Sequence, residues 1–136
     1  HANPRDLNYT ARKRTALASA VAMAAGILIL DEPTAGLDSR EQEQLGQVIS
    51  LLHGQGKTIL VISHDLDFLA EHFDRFILLQ RGKVVLDANF QSFFAQTELL
   101  EQAGLLTPQI VRLSQRMDLS RLSASPNHFV DFLEGK

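Results

Sequence analysis

Along residues 27–30 the chain reads Ile-Leu-Ile-Leu without polar alternation, and 58–63 has the same character as Thr-Ile-Leu-Val-Ile-Ser. Short apolar runs of this kind, rich in β-branched residues, read as strands buried on both faces, as in a parallel sheet. Between them Leu45, Val48, Ile49 and Leu52 fall on one stripe at helical spacing, behind an Asp38 and Glu41 pair that matches a capping box. That pattern predicts an amphipathic helix over roughly 39–53. Upstream, residues 11–25 are mostly strong helix formers behind Thr10, a suitable cap, and predict a helix ended by Gly26. The order helix, strand, helix, strand points to a right-handed βαβ unit and an α/β fold.

Further on, Asp65 is placed to cap a short helix running through His72, and residues 75–87 read as two strands around Arg81-Gly82, a hairpin. After residue 88 the character changes. Helical stretches near 90–103, 108–117 and 127–134 are separated by Thr107-Pro108 and by Ser-Ala-Ser-Pro-Asn at 123–127, with no further strand signal. The expected division is therefore residues 1–88, an α/β portion, and 89–136, a small helical extension.

Composition narrows the classes. At 136 residues, 45% hydrophobic and without cysteine, the chain suits one compact domain with an appended piece and has no thiol or disulfide chemistry. The 13 basic and 16 acidic residues, a net charge of -3, are spread evenly and leave no footprint for nucleic acid. The basic cluster Arg12-Lys13-Arg14 reads as a solvated helix face. No apolar run approaches the ~20 residues of a membrane span, so the chain is expected to be cytosolic or attached to a membrane only through a partner. The chain opens on histidine and not methionine, which fits an engineered piece, a processed product or an excerpt of a longer polypeptide.

Ligands of an open parallel sheet gather at the carboxyl ends of its strands. Asp31 and Glu32 stand at the end of the first strand and His64 at the end of the second, so two acids and an imidazole are expected on one rim. Carboxylates there can hold a water in the shell of Mg²⁺ and align another for attack, while an imidazole can hold the phosphate being cut. Taken singly, each has a blander reading: Asp31 as a turn former, Asp38 as a helix cap, His64 as a surface loop residue like His53, His72 and His128. The set is specific only in combination.

Residues 27–38, ILILDEPTAGLD, resemble the Walker B strand and D-loop of ATP-binding-cassette ATPases, LVISHDLDFL resembles their switch-histidine segment, and LNYTARKRTALASAVAM resembles their signature motif and its helix. The three occur in the family's order over residues 3 to about 88. The resemblance implies the C-terminal half of a P-loop NTPase parallel-sheet domain followed by a small helical extension. It implies that Asp31 positions the Mg²⁺ shell, Glu32 polarises the attacking water, His64 contacts the terminal phosphate, and Ala35 to Asp38 form a D-loop facing a second subunit. Asn8, Tyr9 and Thr10 would stand in the signature segment that meets the nucleotide of the opposite subunit. Tyr9, the run ALASAVAM and the helical tail resemble the energy-coupling-factor ATPases for vitamins and transition-metal ions. The implied cofactors are ATP and Mg²⁺, both only in the complete domain. The implied partners are a second ATPase subunit and transmembrane transporter subunits, with no nucleic acid, and the implied location is the cytoplasmic face of the membrane, peripherally bound.

The sequence departs from the family twice. It has no Gly-x-x-x-x-Gly-Lys-Ser/Thr: Gly56-Lys57-Thr58 comes nearest, but Leu51 stands at the first glycine position and the triplet leads into a strand, so it reads as a helix-to-strand turn. The upstream half of the family domain is not in this sequence, and the chain by itself is expected neither to bind nor to hydrolyse ATP. The signature is also altered, to Leu7-Asn8-Tyr9-Thr10-Ala11. Thr10 brings a side chain, and Ala11 an apolar group, where the family has glycine and a polar residue. An alternative from another class is a non-catalytic truncated module with an assembly or regulatory role. A cassette of DNA repair or translation is disfavoured by the lack of long insertions and basic arms.

Overall fold

The computed structural model describes residues 9–23 and 25–117, which fall into two compact units divided between Ser63 and His64. The first contains helix α1 (Tyr9–Ala22), strand β1 (Ile27–Asp31), helix α2 (Ser39–Gly54) and strand β2 (Thr58–Ile62). β1 and β2 pair in parallel with Ile27 opposite Thr58 and Asp31 opposite Ile62, as the expected βαβ unit requires. Thr10 lies inside α1 rather than at its cap, and the helix stops at Ala22, short of Gly26.

α2 is the expected amphipathic helix. Leu45, Gly46, Ile49 and Leu52 are buried, and the capping box at its start is complete. Its far end closes in a Schellman motif: Gly56 N–H donates to His53 O at 2.8 Å and Lys57 N–H to Leu52 O at 3.2 Å, with Gly56 at φ 82°, a conformation glycine adopts without strain. The triplet 56–58 is thus a helix-to-strand turn, as its sequence context suggests.

Neither strand of this sheet is buried on both faces, contrary to the expectation from their continuous apolar runs. Leu28 is buried and Leu30 half-buried, whereas Ile27 is 63% exposed and Ile29 60%. On β2, which packs against α2, Leu60 and Ile62 are exposed while Ile59 and Val61 are half-buried. The physical reason is cover: period-two alternation sends alternate side chains to opposite faces, and among the described residues one face is left as an open apolar strip of Ile27, Ile29, Leu60 and Ile62.

The second unit opens with helix α3 (Leu66–His72), capped by Asp65, whose Oδ1 accepts from Phe68 N–H at 3.1 Å. Strands β3 (Arg75–Gln80) and β4 (Lys83–Asn89) form the predicted antiparallel hairpin. Arg81 and Gly82 turn it with φ of 49° and 74°, the double left-handed geometry of a type I′ turn. Helices α4 (Phe90–Phe94), α5 (Thr97–Gln102) and α6 (Gln109–Arg116) follow. The stretch 90–103 is therefore two helices. The Phe94 carbonyl at the break accepts from Gln115 Nε2 of α6 at 2.9 Å, which satisfies a helix-end acceptor without water.

This unit has a continuous core of Leu66, Ala70, Phe76, Leu78, Phe93, Phe94, Leu100 and Val111. Phe76 and Phe94 meet at 5.4 Å with rings 70° apart, and Phe93 and Phe94 at 5.3 Å and 81°, both edge-on arrangements favoured by the ring quadrupole. The hairpin thus shares its core with the helices beyond residue 88. His53 and His72, expected in surface loops, sit in the last turns of α2 and α3, and the His72 ring lies 4.7 Å from that of Phe68. His128 and the expected helix at 127–134 lie outside the described residues.

Candidate functional site

The acidic pair sits where the two parallel strands of the first unit end. Asp31 is the last residue of β1, exposed, and opposite Ile62. Glu32 N–H extends the ladder one step, donating to Ile62 O at 2.8 Å. The chain then turns sharply. Glu32 itself has φ 45°, in the left-handed region that a residue with a Cβ enters only when its surroundings hold it there. Ala35 N–H returns to Glu32 O at 3.3 Å and Leu37 N–H to Thr34 O at 3.0 Å, while Pro33 and Thr34 are buried beneath.

Two side chains fix this turn. Lys13 of α1 donates from Nζ to Glu32 O at 2.6 Å and to Ala35 O at 2.8 Å. Ser63, just after β2, donates from Oγ to Glu32 Oε2 at 3.1 Å. Glu32 is thereby held at its N–H, its carbonyl and its carboxylate at once, which fixes where a half-buried acid points. Such an acid, oriented beside an open strand end, is suited to accept a proton from a water.

Sequence reasoning missed both supports. Lys13 was expected on a solvated face, but Lys13, Leu17, Ala20 and Val21 form the half-buried stripe of α1. The signal was there, because 13, 17 and 20 share one side of a helix. Ser63 was legible as the neighbour of His64, but its bond to Glu32 depends on strand register.

Asp38, at the end of the D-loop-like segment, is engaged as the α2 cap: its Oδ1 accepts from Glu41 N–H at 2.8 Å, and its own N–H donates to Glu41 Oε2 at 3.1 Å. His64 is the first residue of the second unit, with an exposed side chain and a carbonyl that accepts from Leu66 N–H at 3.1 Å. Tyr9 and Thr10 open α1, their side chains outside the described residues, as is Asn8. A cavity of about 410 Å³ lies between α1, β1 and α2, walled mainly by aliphatic groups such as Leu17, Ile29, Leu37 and Val48, with Lys13 and Asp31 among its polar members.

Among the described residues no three His, Cys, Asp or Glu side chains gather to hold a metal. The exposed Asp31 carboxylate is a single hard oxygen donor. That fits Mg²⁺, which keeps several waters and is commonly held by one or two carboxylates together with substrate phosphates.

No protein-family model matches the chain. The energy-coupling factor transporter ATP-binding protein EcfA2 of Clostridium perfringens is 40% identical over 85% of this chain and 41% of its own length. EcfA2 of Streptococcus agalactiae is 35% identical over 97% of this chain and 49% of its own length. The chain thus spans less than half of these curated relatives. Among solved structures, cbiO1 from Clostridium perfringens, part of the ABC transporter complex cbiONQ, superposes with a TM-score of 0.59 at 29% identity, covering 85% of this chain and 45% of that one. A dimeric bacterial ABC transporter cassette gives 0.60 at 32% identity over 66% of this chain and 39% of its own. Since the likeness runs through sequence and fold alike, the chain belongs to the ATP-binding-cassette ATPases, as a partial chain of the energy-coupling factor transporter type.

Proposed function

We propose that the chain is the C-terminal portion of an ATPase subunit that drives uptake of a metal ion or vitamin through membrane partners, with Glu32 as the group that polarises the attacking water. The observation that supports this reading is the three-way hold on Glu32, a strained acid fixed at a strand's carboxyl end by Ile62, Lys13 and Ser63. Strain retained this way is characteristic of working sites. A related cassette has been captured in a post-hydrolysis state bound to ADP and Pi, which supports ATP as the substrate.

In this reading Glu32 accepts the proton of the water as it attacks, and the Ser63 hydroxyl keeps the carboxylate turned toward it. Asp31 would hold the water shell of Mg²⁺, which when bound supplies charge neutralisation for the phosphates. His64 would contact the terminal phosphate through its imidazole. Ala35 to Asp38 would face a second ATPase subunit, and Asn8, Tyr9 and Thr10 would meet that subunit's nucleotide. Residues 1–88 would form the nucleotide-binding portion and 89–136 the helical extension. The open strip of Ile27, Ile29, Leu60 and Ile62 suits burial against the rest of the cassette. No described helix is long and apolar enough to cross a membrane; in this reading the membrane partners would hold the subunit peripherally at the cytoplasmic face.

The test is Glu32→Gln in the full-length subunit assembled with its partners. The amide keeps the shape but accepts a proton poorly, so MgATP binding is expected to persist while turnover falls by roughly 100-fold or more. Turnover near wild type would remove Glu32 from this role.

A further inference from the structure

We propose that Lys13 is a positioning residue for hydrolysis: by bridging the carbonyls of Glu32 and Ala35 it holds the left-handed turn that aims the Glu32 carboxylate. The inference rests on the reading of Glu32 as the water-polarising acid.

The turn has little to hold it by itself. Of its two internal bonds the one that involves Glu32, from Ala35 N–H to Glu32 O, is 3.3 Å, at the weak end of the range, while Leu37 N–H to Thr34 O at 3.0 Å lies beyond it. A glutamate at φ 45° relaxes to negative φ unless something external opposes the rotation. Ile62 O, accepting from Glu32 N–H, and Ser63 Oγ oppose it at the N–H and the carboxylate, and Lys13 opposes it at the carbonyl side of the turn. Its ammonium lies 2.6 Å from Glu32 O and 2.8 Å from Ala35 O, so one charged donor pins both ends of the turn with short charge-assisted bonds. Because the Lys13 side chain is half-buried along the Leu17 and Ala20 stripe, its stem is directed by packing and not left to solvent.

Releasing these carbonyls removes one of the three holds on Glu32 and loosens its φ, and rotation about N–Cα strains the remaining bond from Ser63 Oγ. The carboxylate keeps its chemistry but loses its aim. The same tether joins the Glu32 turn to α1, whose first turn carries Tyr9 and Thr10. A displacement of that helix therefore reaches the acid through one side chain.

The experiment uses the full-length subunit assembled with its partners. Lys13→Met keeps most of the stem and removes the donors; Lys13→Arg restores them. Misplacement of a reacting group by about 1 Å can cost 100-fold, so Lys13→Met is expected to lower kcat by roughly 10- to 100-fold. KM for MgATP should stay within about twofold, and arginine should recover most of the rate. Lys13→Gln, with a donor but a shorter reach, should fall between the two at unchanged KM, and decides the matter if the methionine variant does not fold. A kcat for Lys13→Met and Lys13→Gln within about twofold of wild type, in a protein that Glu32→Gln inactivates, overturns the proposal. So does a loss of ATP affinity that parallels the loss of rate and is not rescued by arginine, which marks a general structural role. A wild-type rate in Glu32→Gln would instead remove the acid that Lys13 is said to aim, and the proposal with it.

Discussion

The Ser63 hydroxyl donates to Glu32 Oε2 at 3.1 Å across the ends of two parallel strands that are 31 residues apart in the chain. The pairing of Asp31 with Ile62 makes it possible, since the next residue of each strand then lies beside its counterpart. The bond sets the rotamer of the acid, while the Glu32 backbone is fixed by Ile62 and Lys13.

Ser63→Ala should therefore loosen the carboxylate without disturbing the turn. In the full-length assembled subunit the expected outcome is a kcat lower by roughly 3- to 10-fold, with MgATP affinity preserved. Steady-state turnover alongside nucleotide titration checks it; an unchanged kcat would show that the hydroxyl does not orient the acid during turnover.

Two carboxylates of the second unit should give opposite pH dependences. Asp67 has its pKa raised, first by burial and then by the neighbouring Asp65, with Arg112 opposing. Its folded pKa exceeds its unfolded one, so its contribution is fully present below the unfolded pKa and is lost as pH rises through the folded value. Asp67→Asn should raise Tm at neutral pH, with the gain fading below about pH 4. Asp87 has its pKa lowered, chiefly by the hydrogen bond from Arg75, which grips it with Nε to Oδ1 at 2.9 Å and Nη2 to Oδ2 at 2.7 Å. Its contribution is present above the unfolded pKa and lost as pH falls through the depressed one. Asp87→Asn should lower Tm at neutral pH and have no effect in strong acid. Thermal melts of both variants across pH decide it, and parallel curves would contradict the assignment.

Thr107 is buried, and among the described residues its Oγ1 has no hydrogen-bond partner. Replacing the hydroxyl by a methyl of similar size removes an unsatisfied group without opening a cavity. Thr107→Val is expected to stabilise the fold by about 1 kcal/mol, roughly 3–6 °C in Tm, whereas Thr107→Ser should destabilise it. Calorimetry of the purified chain distinguishes them; a lower Tm for valine would mean that the hydroxyl has a partner in solution.

What was legible in the sequence was local. The capping box at Asp38 and Glu41, the Asp65 cap and the Arg81-Gly82 turn each depend on residues within a few positions of one another and formed as read, and of the stripe at 45, 48, 49 and 52 all but the half-buried Val48 are buried. The acid pair was legible for the same reason, since a strand end is defined by its own apolar run. Three matters were decided only by tertiary structure. Whether 27–30 is covered on both faces depends on what packs against it, and apolar residues alone cannot say that cover is supplied. Whether Lys13 faces water depends on where α1 lies against the turn at 32–35, a contact spanning 19 residues. And which side chain would orient Glu32 was settled by parallel register, because a shift of one residue would send Ser63 to the other face of the sheet.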